Sequence, residues 1–295
     1  MRRTFLQLVS LAVAGSWAAG ALLAATPSRN GPKHLDGTIP AESVPVHVLG
    51  GFLVVAQGQI GGELSRQNFI LDTGTSPSIL NTRVARQLGL ALAPAKVAAI
   101  GRDAEVAVTS VPRLRLGSLQ VEAATFLVTD LTDVERAWNI PIAGILGLDI
   151  LGKRSFRLDY ERALLEFGEV STEGIPIGLS EGLNLPIAEV RINGKALRLL
   201  VDTGSDHLVF FTKQAGAVLP ESSSAPLQGN SVAGGIPVRQ ALPLEFEWSG
   251  RRFQQNALVV PGRVESLFDG LMSVRSMGFR SLAMDSRNRV VYLQK

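Results

Sequence analysis

Two aspartates stand where chemistry could be done. Asp72 ends the apolar run Phe69-Ile70-Leu71 and is followed by Thr73-Gly74-Thr75. Asp202 ends Leu199-Leu200-Val201 and is followed by Thr203-Gly204-Ser205. A carboxylate at the end of a buried strand must be paired or neutralised, because isolated buried charge is costly. Two such acids brought within about 3 Å cannot both ionise, so they share one proton, leaving one member a base and the other an acid. That pair can activate a water and protonate a departing amine with neither metal nor covalent intermediate. The glycines let the backbone bend tightly, and the hydroxyls can donate to the acids. One Asp-Thr-Gly is equally well a turn in which Asp caps its neighbours. A second copy in matching surroundings favours the paired site.

The elements that must position these acids are written twice. Val44, Val46 and Val48 alternate with Pro45 and His47, Phe52 to Ala56 is an apolar run, and Gly61-Gly62 supplies a turn before the strand that delivers Asp72. In the second half Leu185 to Ile192, the turn Asn193-Gly194 and Ala196 to Val201 deliver Asp202. Asn-Gly between alternating runs favours a type I′ turn. Asn81 is placed to cap a helix over Thr82–Leu88 with Gly89 as its stop, and a counterpart is expected from Thr212 to Val218. Strands follow at Val111–Leu116 and Val121–Val128, and at Leu242–Trp248 and Arg252–Val260, with Gly117-Ser118 and Ser249-Gly250 as turns. Nearer the end of each half, Ala143-Gly144-Ile145-Leu146-Gly147-Leu148-Asp149 lines up with Asp269-Gly270-Leu271-Met272-Ser273-Val274-Arg275. Asp72 to Gly144 spans 72 residues and Asp202 to Gly270 spans 68, the near-constant interval of an internal repeat. Asp149, Asp159, Asp269 and Asp285 read as turn or strand-end acids. The N-terminal unit is placed at 43–170 and the C-terminal unit at 182–295, with a loop over Ser171–Glu181 between them.

An apolar strand entering Asp-Thr-Gly-[Thr/Ser], then a helix, then a later apolar-apolar-Gly stretch, resembles the aspartic proteases of the pepsin and retropepsin type, in two-lobed single-chain form. The resemblance covers about Val44 to Leu293. It implies a mostly β fold of two pseudo-symmetric closed β-barrel lobes with short helices and a cleft between them, and a peptide-hydrolysing activity on polypeptide substrates. It makes Asp72 and Asp202 the catalytic dyad, Thr73 and Thr203 the inner hydroxyls bracing the loops, and Thr75 and Ser205 the outer hydroxyls bonding the carboxylates. Gly74 and Gly204 allow the turns, and Gly144 and Gly270 lie in the strands behind. A substrate-covering hairpin is implied near Val97–Thr109 with its tip at Gly101, and a counterpart at Asn230–Arg239 around Gly234-Gly235. Two positions depart from the pattern: Ser273 stands where the first half has Gly147, and Arg275 where it has Asp149. No Tyr, Trp or Phe occurs in 97–109. The rival reading is a peptide-binding or inhibitory protein that keeps this fold without turnover.

The remaining features bound the setting. A chain of 295 residues, 46% hydrophobic and 19% charged, is long enough for two globular units. With a net charge of +3 and no Lys/Arg run longer than two, nucleic acid is not an expected partner. There are no cysteines, and His34, His47 and His207 lack a ligand spacing, so neither metal nor cofactor is expected. Both halves lie in one chain, so a monomer with an intramolecular dyad is expected. Arg2-Arg3-Thr4-Phe5-Leu6-Gln7 followed by a charge-free stretch to Pro27 resembles a bacterial twin-arginine export signal. Residues 1–25 therefore read as an export signal cleaved after Ala21 or Ala25, or as a retained membrane anchor through residues 5–25, with 26–42 a linker. Either places the folded part outside the cytoplasm, in the periplasm or secreted.

Overall fold

The computed structural model describes residues 8–9, 42–61, 66–99, 102–211, 227–231, 234–260 and 268–295. The remainder of the export or anchor segment, the linker to residue 41, the turn residue Gly62, the second-half helix at 212–218 and the hairpin tip Gly101 lie outside the described residues. Leu8–Val9 pair in parallel with Ala98–Ala99.

The chain builds two closed six-stranded barrels, each in the same pairing order. In the first, Leu53–Ile60 pairs antiparallel with Gln67–Leu71, which runs parallel to Gly144–Leu146. Gly144–Leu146 pairs with Ile79–Asn81, that strand with Leu119–Thr129, and that with Arg102–Leu116. Gln59 opposite Arg115 closes the ring. In the second, the order is Ile187–Ile192, Lys195–Asp202, Gly270–Ser273, Leu208–Phe211, Arg251–Val260 and Gly234–Trp248, closed by Arg191 opposite Glu247. Parallel and antiparallel steps match ring for ring. Closure leaves no free edge within either barrel.

Local chemistry explains the elements. Asn193 and Gly194 both take positive φ, 49° and 80°, the backbone of a type I′ turn. Asn81 caps the helix Thr82–Gln87 by accepting from Arg83 N–H, while Gly89 turns the chain at φ 62°. A second helix, Thr132–Trp138, is one that the hydrophobic pattern does not announce. It fully buries no residue, and its apolar stripe is only the half-buried pair Val134 and Trp138 packed on the core; its clearer signals are Asp133 and Glu135 in the first turn and Asn139 in left-handed conformation behind it.

Behind both barrels runs a six-stranded sheet in the order Ser43–Leu49, Leu164–Phe167, Phe156–Asp159, Ser281–Asp285, Val290–Gln294, Ile175–Gly178. Phe156–Asp159 against Ser281–Asp285 joins the halves across the pseudo-twofold axis. Asp159 and Asp285 then do the same thing at equivalent turns, each accepting the backbone N–H groups two and three residues on. The stretch 171–181, read as a loop from its sequence, contains the strand Ile175–Gly178. Ile177 pairs with Val291 as Val44 pairs with Leu165, so this strand is the second unit's counterpart of Ser43–Leu49. It buries Ile175 and Ile177 and exposes Pro176 and Gly178. Proline is tolerated there because the strand lies at the edge of the sheet, with a single neighbour.

The predicted hairpins form as paired strands. Ala93–Ala99 pairs with Arg102–Leu116 as far as Ala99 opposite Arg102. Leu227–Ser231 pairs with Gly234–Trp248 as far as Ser231 opposite Gly234. Gly234-Gly235, around which this hairpin is expected, lies at the start of its second strand.

Candidate active site

The two acids are delivered by equivalent strand pairs. Asp72 follows Gln67–Leu71, whose parallel partner is Gly144–Leu146, and Asp72 N–H donates to Leu146 O at 3.0 Å. Asp202 ends Lys195–Asp202 beside Gly270–Ser273, opposite Ser273. These partner strands pass so close to a third that a side chain has no room. A Cβ at Gly144 would meet Ile79 O at 2.4 Å, and one at Gly270 would meet Val209 O at 2.0 Å. Glycine is required by close approach at both, which brings each acid-bearing loop against its own barrel.

Across the axis, the inner hydroxyls make four buried bonds. Thr73 N–H donates to Thr203 Oγ1 at 3.0 Å and Thr203 N–H to Thr73 Oγ1 at 3.2 Å. Thr73 Oγ1 donates to Val201 O at 2.9 Å and Thr203 Oγ1 to Leu71 O at 3.1 Å. Each hydroxyl thus accepts one bond and donates another, so both loops are fully satisfied where they meet. The two carboxyls converge above this seam. A Cβ built on Gly204 would lie 2.9 Å from Asp72 Oδ2 and 3.1 Å from Asp202 Oδ1.

The two acids are fully buried but unequally served. Asp72 Oδ1 accepts Gly74 N–H at 2.7 Å and Oδ2 accepts the Thr75 hydroxyl at 2.6 Å. Asp202 Oδ1 accepts Gly204 N–H at 2.7 Å. Its Oδ2 is buried and has no partner among the described residues. Ser205, at the place of Thr75, does not bond Asp202. Its single hydroxyl proton goes to His207 O at 3.0 Å, inside its own loop. A serine hydroxyl has several staggered positions, and here the local turn claims it.

Charge follows this inequality. Burial pushes both carboxyls above the ordinary carboxylate range. For Asp72 that rise is opposed by hydrogen bonds from Asp202, Thr75 and Gly74. Asp202 is driven well up, first by burial and then by the charge of Asp72, its hydrogen bond to Asp72 and the charge of Asp206, against Gly204 N–H alone. The unpartnered Oδ2 of Asp202 and the extra donors on Asp72 point the same way: ionisation is more favourable at Asp72 than at Asp202.

The supports behind the loops also differ. In the N-terminal lobe Asp149 accepts from Ser78 N–H at 3.0 Å and from Ser78 Oγ at 2.7 Å, and Ser78 Oγ accepts Gly147 N–H at 2.9 Å. A Cβ at Gly147 would meet Thr75 O at 1.9 Å. The C-terminal lobe has Leu208 at the place of Ser78 and accommodates Ser273 at the place of Gly147, where Ser273 Oγ accepts Ser276 N–H at 3.2 Å. Arg275, at the place of Asp149, reaches out of its lobe. Its Nε donates to Gly51 O at 3.1 Å, Nη1 donates to Phe279 O at 2.8 Å, and its Cζ lies 5.1 Å from the Tyr160 ring centroid. Asp269, by contrast, braces a strand start by accepting Arg198 N–H at 2.7 Å. His207 faces Asp206 through Nδ1 in the loop after Asp202.

Comparison with protein families gives one match in each half. Residues 56–150 match the aspartyl protease model and residues 183–270 match the retroviral aspartyl protease model. A comparison with curated proteins gives no match. The two family matches fall on the two barrels, and each includes one Asp-Thr-Gly loop; the first runs through the strand Gly144–Leu146 and the second ends at Gly270, the start of its counterpart. The chain belongs to the retropepsin-like aspartic protease family, with two such domains in one polypeptide.

Proposed function

We propose that the chain is an exported aspartic endopeptidase that hydrolyses peptide bonds with a water activated by Asp72 and Asp202. The observation that carries this reading is the convergence of two buried carboxyls with unequal hydrogen-bond donors, four hydrogen bonds favouring the anion of Asp72 against one for Asp202. Ionised Asp72 takes a proton from the water as its oxygen attacks the scissile carbonyl carbon. Protonated Asp202 gives its proton to the carbonyl oxygen, and the tetrahedral adduct is neutral. In its collapse Asp72 returns a proton to the leaving nitrogen, Asp202 regains one from the adduct hydroxyl, and the C–N bond breaks. The substrate lies extended between the lobes and pairs as a strand with the hairpins at 93–108 and 227–238.

The test is cleavage of a denatured protein mixture by the purified protein, with and without a statine-type transition-state analogue. Cleavage blocked by the analogue and lost in Asp72→Asn and Asp202→Asn is the expected result. Identical peptide maps from wild type and both variants would refute the reading. A peptide-binding protein without turnover would hold the analogue and leave the map unchanged. For export, the N-terminus of the mature protein is the readout. Leu22 or Thr26 marks cleavage, and an intact Met1 in the membrane fraction marks an anchor.

A further inference from the structure

The N-terminal lobe secures its acid-bearing loop from within, through Asp149, Ser78 and Gly147. The C-terminal lobe has lost both halves of that lock, since Leu208 offers no hydroxyl and Arg275 no carboxylate. A loop that carries a reacting acid still has to be held, because misplacement of about 1 Å costs orders of magnitude in rate. The group occupying the vacated position is Arg275, and its contacts cross the lobe interface. Gly51 lies in the first hairpin turn of the N-terminal lobe, 224 residues away in sequence, and Tyr160 follows the strand Phe156–Asp159 at the centre of the shared sheet. Phe279 O, its third contact, closes the C-terminal turn on itself, together with Gly278 N–H to Arg275 O at 2.9 Å and Met277 N–H to Ser273 O at 3.4 Å. That turn begins at Ser273, the residue opposite Asp202 in the parallel pair.

We propose that Arg275 is a positioning residue: by gripping Gly51 O and the Tyr160 ring of the other lobe, it fixes the turn 273–279 and, through Ser273, the Asp202 carboxyl. The inference rests on the reading of Asp72 and Asp202 as the reacting pair. A planar guanidinium suits this post because it can bond two carbonyls in different directions while stacking on an aromatic face. Tyr160 is a fitting anchor. Its hydroxyl is buried and kept protonated by that burial, and the charges of Arg275, Asp202 and Asp72 all act on it, so the phenol lies within electrostatic reach of both the guanidinium and the dyad. The grip also links the lobes at a point the Thr73–Thr203 seam does not touch.

The experiment compares wild type, Arg275→Met and Arg275→Lys, with exposed Arg252→Met as a control. Active sites are counted by titration with a statine-type analogue, so that loss of folded protein is removed from the rates. Arg275→Met keeps the side-chain length and is expected to lower kcat on the order of tenfold per active site while KM stays within about twofold. Arg275→Lys, with one donor group in place of the fork, is expected to restore part of that loss. Unchanged kcat per active site in Arg275→Met overturns the proposal, and so does full restoration by Arg275→Lys, which would show that charge alone matters. Should wild type cleave nothing, the peptidase reading fails, and spectra of protein carrying 13C-carboxyl aspartate still decide the present one. A displaced Asp202 resonance in Arg275→Met, absent in Arg252→Met, supports positioning, whereas superimposable spectra refute it.

Discussion

In the N-terminal loop Thr75 turns its hydroxyl onto Asp72, while in the C-terminal loop Ser205, at the same step from its acid, turns it onto His207 O. The loops share a backbone plan, the glycine N–H at 2.7 Å and the threonine seam. They differ in how many donors face each carboxyl. A symmetric pair would hold its proton on either acid with equal ease. Here the unequal donors favour ionisation of Asp72 over Asp202, because hydrogen bonds to the anion favour ionisation while burial and like charge oppose it. In the proposed mechanism, division of labour between two identical side chains therefore comes from a few polar atoms around them.

The largest effect that can break this comparison is removal of either acid. Asp72→Asn and Asp202→Asn are each expected to lower kcat by about 10²–10⁴-fold, the usual worth of a general acid or base. Thermal melts across pH then tell the two acids apart. A native carboxyl raised above its ordinary value of 3.8 keeps its proton where the unfolded chain has lost it, so the native state is penalised as pH climbs from 3.8 through the raised value. Asp202→Asn removes that penalty. Its Tm is expected to match wild type below pH 3.8 and to exceed it increasingly towards neutrality. Asp72→Asn, which also disturbs the Thr75 and Gly74 bonds, is expected to gain less. A larger gain for Asp72→Asn would reverse the assignment of the proton.

Next in size are the glycines. Gly144→Ala and Gly270→Ala are each expected to cost about 3 kcal/mol in urea unfolding, since overpacking against a backbone carbonyl has no flexible neighbour to yield. Equal losses would show that both barrels use the close approach alike. Thr73→Ala and Thr203→Ala each strand a buried N–H and a buried carbonyl, and about 2 kcal/mol apiece is expected by the same measurement. The finest probe is the outer hydroxyl. Thr75→Ala removes a bond to a charged group and is expected to lower kcat/KM on the order of tenfold, whereas Ser205→Ala is expected to stay within about twofold. Similar losses in both would mean that Ser205 turns onto Asp202 during turnover.

Much of this molecule is legible from its residues alone. The duplicated strand-Asp-Thr-Gly pattern, the Asn193-Gly194 turn and the Asn81 cap follow from periodicity and from backbone preferences of single residues. Ile175–Gly178 escaped because four residues with a proline carry too little alternation, and only its partner Val290–Gln294 makes it a strand. The helix Thr132–Trp138 escaped because the face it packs on the core holds only two apolar residues, Val134 and Trp138, neither fully buried. The direction of the Ser205 hydroxyl is a choice among rotamers, and the reach of Arg275 to Gly51 depends on a neighbour 224 residues away. Local pattern is silent about both.

The central sheet has a consequence for inheritance. Phe156–Asp159 and Ser281–Asp285 are equivalent strands that complete each other, so half of this chain alone would present a bare edge matching its own copy. In a pair of identical copies every substitution appears on both sides of the axis at once. Joining the halves lifts that restriction. An arginine can then replace one aspartate and leave the other in place, and a serine can turn away where its twin turns in. Covalent fusion is thus what allows two copies of one design to become unlike, and to do so at the residues that surround the paired acids.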